Sequence, residues 1–410
     1  MTRAGNIQVD TGLGVTVPKG FRAGAAACGL KETGAPDVAV LVCETDAQAA
    51  AVFTQNRVAG APVLVSREHL ARGRAMRGIV VNSGNSNACT GEQGLADARE
   101  MTRLAAEQIG CAAEQMLVAS TGVIGHALPM GKIERGIRAA CAALASGPEA
   151  DDAFARAIMT TDTRPKQAGA RVQIGGRAVT IAGATKGVGM IAPNMATTLG
   201  FLATDATVAA SLLQMMLCRA ADATYNCLTV DGHTSTSDTL VLMASGRAGA
   251  EPVAKGSPEA ETFEVALAAV CESLARQIVA DAEGGTKVIE IRVTGAASEA
   301  EARRAARAIA DSPLVKCAFF GEDPNWGRIV SAAGAAGISS EPETMRLMLG
   351  GVVLFDGGGP VEADATRLEK IMKAHEIAVH LDLGAGGGEA RCLTCDLTDE
   401  YVRINAHYTT

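Results

Sequence analysis

Aromatic residues are scarce in this 410-residue chain: one tryptophan, three tyrosines and eight phenylalanines, 3% of the total. An interior with so few rings has to be filled by Ala, Val, Ile, Leu and Met in close-packed layers, and 46 glycines imply many tight turns between them. Apolar runs of about 18 residues are missing too, so no membrane span is expected. The first residues, with Arg3, Asn6, Gln8 and Asp10, lack the apolar stretch of a secretion signal, which points to a cytoplasmic protein. No block of like charge interrupts a formal net charge of −8. Without clustered Lys and Arg to displace counterions, a nucleic-acid partner is excluded and small-molecule chemistry is favoured.

Disulfides are not expected either. Eleven cysteines, an odd number, scattered through a chain without a secretion signal, read as reduced thiols packed as small hydrophobes. Only Cys392 and Cys395 have the spacing of a redox or zinc pair, and they lie in an alternating segment, 390–397. Residues three apart on a strand point to opposite faces, so that pair reads as structural and no metal is implied. The common catalytic signatures GxxxxGK[ST], HExxH and GxSxG are absent, and Gly183, Gly187 and Gly189 do not have dinucleotide spacing. No cofactor is called for.

What is present is an ordinary globular balance, 48% apolar and 20% charged, at a length that suggests two or three domains. Segments 38–43, 50–54 and 78–82 read as strands, and 95–109 and 130–144 as helices, so the fold class is α/β. Gly175-Gly176 between two β-branched runs is a two-residue hairpin signal, which makes the sheets mixed. A helix covers 208–223. Another starts with Ser257 as N-cap and Pro258 behind it, and stops near Gly284-Gly285. Strand 288–293, a helix opened by Ser298 and Glu301, strands 345–349 and 377–383 and helix 366–373 then compose a second α/β unit. We therefore divide the chain into residues 1–284 and 285–410.

One segment carries chemistry. Residues 186–200 are apolar yet broken by Gly187, Gly189, Pro193 and Asn194, as a kinked backbone requires. Thr197 follows the small Ala196 there, so its Oγ could reach the preceding carbonyl carbon for an N→O acyl shift. Hydrolysis of the ester would free an α-amine with a pKa of roughly 7.7–8.0, able to serve as general base for its own hydroxyl. A bent core strand with satisfied hydroxyls accounts for the same residues.

Six motifs bear on the choice: VNSGNSNACTG (81–91), STGVIG (120–125), MTTDTRPK (159–166), KGVGMIAPNMATTLGFLATDA (186–206), FFGEDPNWGRI (319–329) and the terminal CDLTDEYVRINAHYTT. In this order, and from Val15 onward, the chain resembles the ornithine acetyltransferase family, the bifunctional glutamate N-acetyltransferases of arginine biosynthesis. The resemblance implies a layered α/β sandwich that cleaves itself between Ala196 and Thr197. An α chain, 1–196, and a β chain from Thr197 would then assemble as an α2β2 heterotetramer. It implies Thr197 as acetyl-accepting nucleophile, Thr121 and Gly122 as the oxyanion hole, and substrate contacts at Thr160, Lys186, Thr197, Glu283, Asn405 and Thr410, with Thr161 a rival for Thr160. Expected substrates are N-acetylornithine and glutamate; acetyl-CoA as a second donor stays open.

The chain departs from relatives in one loop. Where they usually read TVDGDTSTND, residues 229–238 have His233 and Ser237, which removes a carboxylate and shortens a side chain. A metal site or triad on His233, Asp231 and Asp238 is not what the family needs. Trp326, in a turn-flanked DPNWGR string, reads as a packing anchor. The alternatives left open are a self-cleaving N-terminal-threonine amidohydrolase, a specialised-pathway paralogue with another acceptor, and a binding protein that never matures.

Overall fold

The computed structural model describes residues 7–192 and 198–407. Ala196, Thr197 and Thr410 lie outside the described residues. Segments 38–43 and 50–54, expected as two strands, form one strand, Val38–Phe53. The strand accommodates the polar Glu44 and Asp46 because its register with Met76–Asn85 shifts between Val42 and Ala47, where Glu44 is exposed.

That long strand organises a nine-stranded mixed sheet. Its first half pairs with Phe21–Ala26 and Met76–Asn85, and its second half with Thr239–Ala244. Side-chain alternation shows how the two halves stack. Val38, Val40 and Val42 face the helices Ala61–Ala71, Gly91–Ile109 and Met130–Ala142. Ala39, Leu41 and Cys43 point the other way and pack with Phe201, Ala203, Val241 and Met243 from the second half. On the far side of that half, Leu202, Leu240 and Leu242 meet the helices Ala210–Ala223 and Pro258–Val279. The order is helices, strands, strands, helices, a layered sandwich whose two strand layers share one chain segment.

The hairpin at Gly175-Gly176 joins Lys166–Ile174 to Arg177–Lys186, with both glycines at positive φ, 55° and 73°, as a type I′ turn requires. A separate six-stranded sheet is built from the strands between Val288–Ala296 and Gly388–Cys395. Its core is continuous with Ala302, Ala305 and Ile309 of the helix Glu299–Asp311. Cys392 belongs to this core and Cys395 to the core of the first sheet, so the pair sits on opposite faces. Ser298 caps its helix by accepting Glu301 N–H, while the Glu301 carboxylate is taken by Ser339. Trp326 stacks on Phe355 with ring centroids 5.2 Å apart. Among the described residues, no helix is long and apolar enough to cross a membrane.

One buried charge network ties the sheet to the loop beside it. Lys166, fully buried, donates to Asp162 at 2.6 Å and Asp281 at 2.5 Å, and Asp162 also accepts Gly187 N–H at 2.8 Å. Burial alone would raise the Asp162 carboxyl, but the ammonium groups of Lys166 and Lys186 hold it below its usual range. Removing the central cation would leave two carboxylates facing each other without water. Lys166→Met should therefore cost about 3–5 kcal/mol, read as a lowered urea midpoint with an unchanged slope; a midpoint equal to that of the parent chain would contradict it.

Candidate functional site

Strand ends, the loops between them and the helix Asp399–His407 converge on a cleft of about 260 Å3. This is smaller than the roughly 300–1,000 Å3 of drug-sized sites, and suits an amino acid. Its lining includes Thr121, Gly122, Thr160, Lys186, Glu283 and Asn405; these are all the described residues implied by the resemblance. Thr198, next in the chain after Thr197, is in the same wall.

Thr121 and Gly122 end the strand Met116–Val123, where the pairing with Met76–Asn85 slips at Asn85. Gly122 has φ 130°, and a Cβ there would stand 2.3 Å from the carbonyl carbon of Gly84. Only glycine fits, and the slip turns the local backbone away from the regular ladder. Lys186 Nζ donates to Thr121 Oγ1 at 3.2 Å. With that lone pair occupied, the threonine hydroxyl keeps its own proton for another acceptor. Burial lowers the Lys186 ammonium, opposed by Asp162, Asp238 and Glu283.

The opposite wall is acidic. Glu283 accepts from Thr161 Oγ1 at 2.7 Å and Asn405 Nδ2 at 2.9 Å, and its own N–H bonds Val188 O at 3.0 Å. Gly189 lies directly under this carboxylate, for a Cβ there would come within 2.4 Å of Glu283 Oε2. Thr160 lines the cleft through a different arrangement, its N–H donating to Asp162. The hydroxyl on Glu283 is thus that of Thr161.

Sequence reasoning gave no role to two carboxylates. Asp231 accepts Met190 N–H at 2.6 Å and Ile191 N–H at 2.9 Å, together with His233 N–H and the Tyr401 hydroxyl at 3.3 Å. It clamps the chain just ahead of residue 193, at Met190 with φ 54°, onto the C-terminal helix Asp399–His407. Burial, then the Asp231 charge, raises the Tyr401 phenol. Asp238 is 2% exposed and lines the cleft beside Lys186. Both sit in the loop noticed for His233 and Ser237, which also line the cleft. The available signal was their place in a motif; partners some forty residues or more away left no spacing to read. Among the described residues, no three His, Cys, Asp or Glu side chains converge as metal ligands.

The sequence profile of the ArgJ family matches residues 22–410. The arginine biosynthesis bifunctional protein ArgJ of Symbiobacterium thermophilum is 49% identical over 399 residues, 97% of this chain and 98% of that protein. Its counterpart in Methylococcus capsulatus is 48% identical over 393 residues, 95% of each. A crystal structure of the Bacillus halodurans protein of the same name overlaps with a TM-score of 0.49 and 41% identity, covering 51% of this chain and 98% of that one. With a profile spanning nearly the whole sequence and close to half of all positions identical, the chain belongs to the ArgJ family, the bifunctional acetyltransferases of arginine biosynthesis.

Proposed function

We propose that the chain cuts itself between Ala196 and Thr197 and that the freed threonine carries the acetyl group of N2-acetylornithine to glutamate. The observation supporting this most is the cleft itself. Thr198, the residue after Thr197, shares it with the glycine-bulged Thr121–Gly122 turn, Lys186 and Glu283. The Thr197 amine takes the proton from its own Oγ, which attacks the acetamide carbonyl. Negative charge on the tetrahedral oxygen is met by the Thr121 hydroxyl, turned outward by Lys186, and by the Gly122 N–H. The C–N bond breaks, the amine proton passes to the departing ornithine, and the acetyl group rests on Thr197 as an ester. Glutamate's amine then attacks the ester and regenerates the hydroxyl. An amide is exchanged for an amide, so no nucleotide energy is needed.

Glu283, with Thr160 or Thr161, Asn405 and Thr410, recognises the charged ends of the amino acid, and Lys186 serves both the pocket and Thr121. Asn405 and Thr410 belong to the 285–410 unit and the other contacts to 1–284. We place the enzyme in the cytoplasm as an α2β2 heterotetramer. Since one residue relays acetyl between two amino acids that use one pocket, initial rates should give parallel double-reciprocal lines. Mixing with N-acetylornithine alone should add one acetyl to the peptide beginning at Thr197. Intersecting lines, or acetyl on another residue, would overturn the relay.

A further inference from the structure

Two polar atoms in the cleft wall have no use so far. Asp238 Oδ2 and Thr198 Oγ1 are buried and without a hydrogen-bond partner among the described residues. They are neighbours by strand register. The parallel strands Leu199–Thr204 and Thr239–Ala244 pair Leu199 with Thr239, and Thr239 N–H donates to Thr198 O at 2.9 Å. Asp238 therefore stands one residue before Thr239–Ala244, opposite Thr198, which stands one residue before Leu199–Thr204. An orphaned buried acceptor is costly, about 1–3 kcal/mol by general experience, and natural sites retain such atoms when something else binds them.

The ladder fixes Asp238 from behind. Its backbone carbonyl accepts Thr54 N–H at 3.0 Å, and the nearby Ser235 and Thr54 side chains pull its carboxyl downward. Its Oδ2 has no hydrogen-bond partner among the described residues. We propose that Asp238 is a positioning residue of the site: its open oxygen accepts a hydrogen bond from the α-amino group that maturation creates at Thr197, and so aims that amine's lone pair at the threonine's own hydroxyl. This rests on the proposed role of Thr197.

The charge state of Asp238 decides whether such a contact helps. A carboxylate beside the amine would favour the ammonium form and spoil the base; a neutral carboxyl offers the same carbonyl oxygen without that penalty. The wall favours the neutral form. Burial pushes the Asp238 carboxyl well above its usual range, against the pull of Ser235, Lys186 and Thr54, and the Lys186 ammonium donates to Thr121 instead. The other titratable groups of the cleft are Asp231 and His233 on the same loop, Glu283 and Tyr401. Asp231 and Glu283 are already held by their own donors.

The test is the single-turnover acetylation of Thr197 in mature enzyme as a function of pH, followed by mass. In the parent enzyme the acid limb reports the amine. It is expected at or below the ordinary α-amine range of about 7.7–8.0; a limb above it means a charged neighbour and overturns the proposal without any variant. Asp238→Asn keeps a neutral acceptor, so its limb should coincide with that of the parent and its rate should fall by less than about tenfold. Asp238→Ala should lose roughly 10²-fold, the low end of what a positioned general base contributes. A D238N limb moved down by about one pH unit would show that Asp238 was charged. D238N as slow as D238A, or D238A as fast as the parent, would equally overturn the idea. If acetyl fails to appear on Thr197 in the parent enzyme, the nucleophile reading fails first, and that outcome is separate from all of these.

Discussion

Thr197→Ala should yield a single uncut band on a denaturing gel and no measurable transfer from N-acetylornithine to glutamate, with the melting temperature of the chain little changed. The effect is the largest we expect because one residue supplies the hydroxyl that attacks in self-cleavage, the nucleophile in transfer and, once its amine has been freed, the base for transfer. Where nucleophile and base act as a unit, losing one costs on the order of 10⁶ in kcat. The alanine keeps the backbone and removes only the oxygen and a methyl, and the flanking Thr198 and Leu199 are held independently by Thr239 N–H and Thr185 Oγ1. Cleavage should occur in the parent with Thr-Thr-Leu-Gly-Phe-Leu as the new N-terminus. A Thr197→Ala chain that still cuts, or a cut one residue later at Thr198, would remove the nucleophile from position 197.

Gly122→Ala should reduce kcat by about 10²–10³-fold, the usual effect of losing one oxyanion donor, while the KM for N-acetylornithine changes little. The reasoning is steric. At φ 130° an alanine is strained wherever it sits, and here its Cβ would lie 2.3 Å from Gly84 C and 2.5 Å from Asn85 N. Both are backbone atoms of the paired strand and cannot swing aside as a side chain could. Either the bulge shifts or residue 122 rotates, and both outcomes move its N–H away from the place where negative charge develops. Thr121→Ala is the companion measurement, since it removes the other donor without touching the backbone. If both variants mature and turn over at the parent rate, the oxyanion hole is elsewhere.

The secondary structure was largely legible because burial imposes periods on the chain. Val38, Val40 and Val42 alternate with Ala39, Leu41 and Cys43, and this alternation survives in the structure as two faces packed against different layers. The Gly175-Gly176 hairpin and the Ser257-Pro258 helix start were readable for the same local reason: a positive φ, a cap and a missing N–H are satisfied within a few residues. Joining 38–43 to 50–54 was not readable, because Glu44 and Asp46 look like a turn until the partner strands on either side are known. The site divides similarly. Thr121, Gly122, Thr160, Lys186, Glu283 and Asn405 could be named from motifs, yet nothing local says that Glu283 will be held by Thr161 from 122 positions earlier and by Asn405 from 122 positions later.

By itself, the sequence determined the composition of the layers, the turns between them and the chemical kinds of residue available: a threonine after a small residue, a glycine that must turn, a few buried cations and acids. Tertiary structure alone decided where those acids lie and which donors reach them. Asp231 became a clamp because Met190 and Ile191 present consecutive N–H groups to it across a gap of about forty residues, and Asp238 was left with an open oxygen because its strand was paired beside Thr198. A carboxyl's charge depends on the water and donors around it, and those are supplied by chain segments far away in sequence.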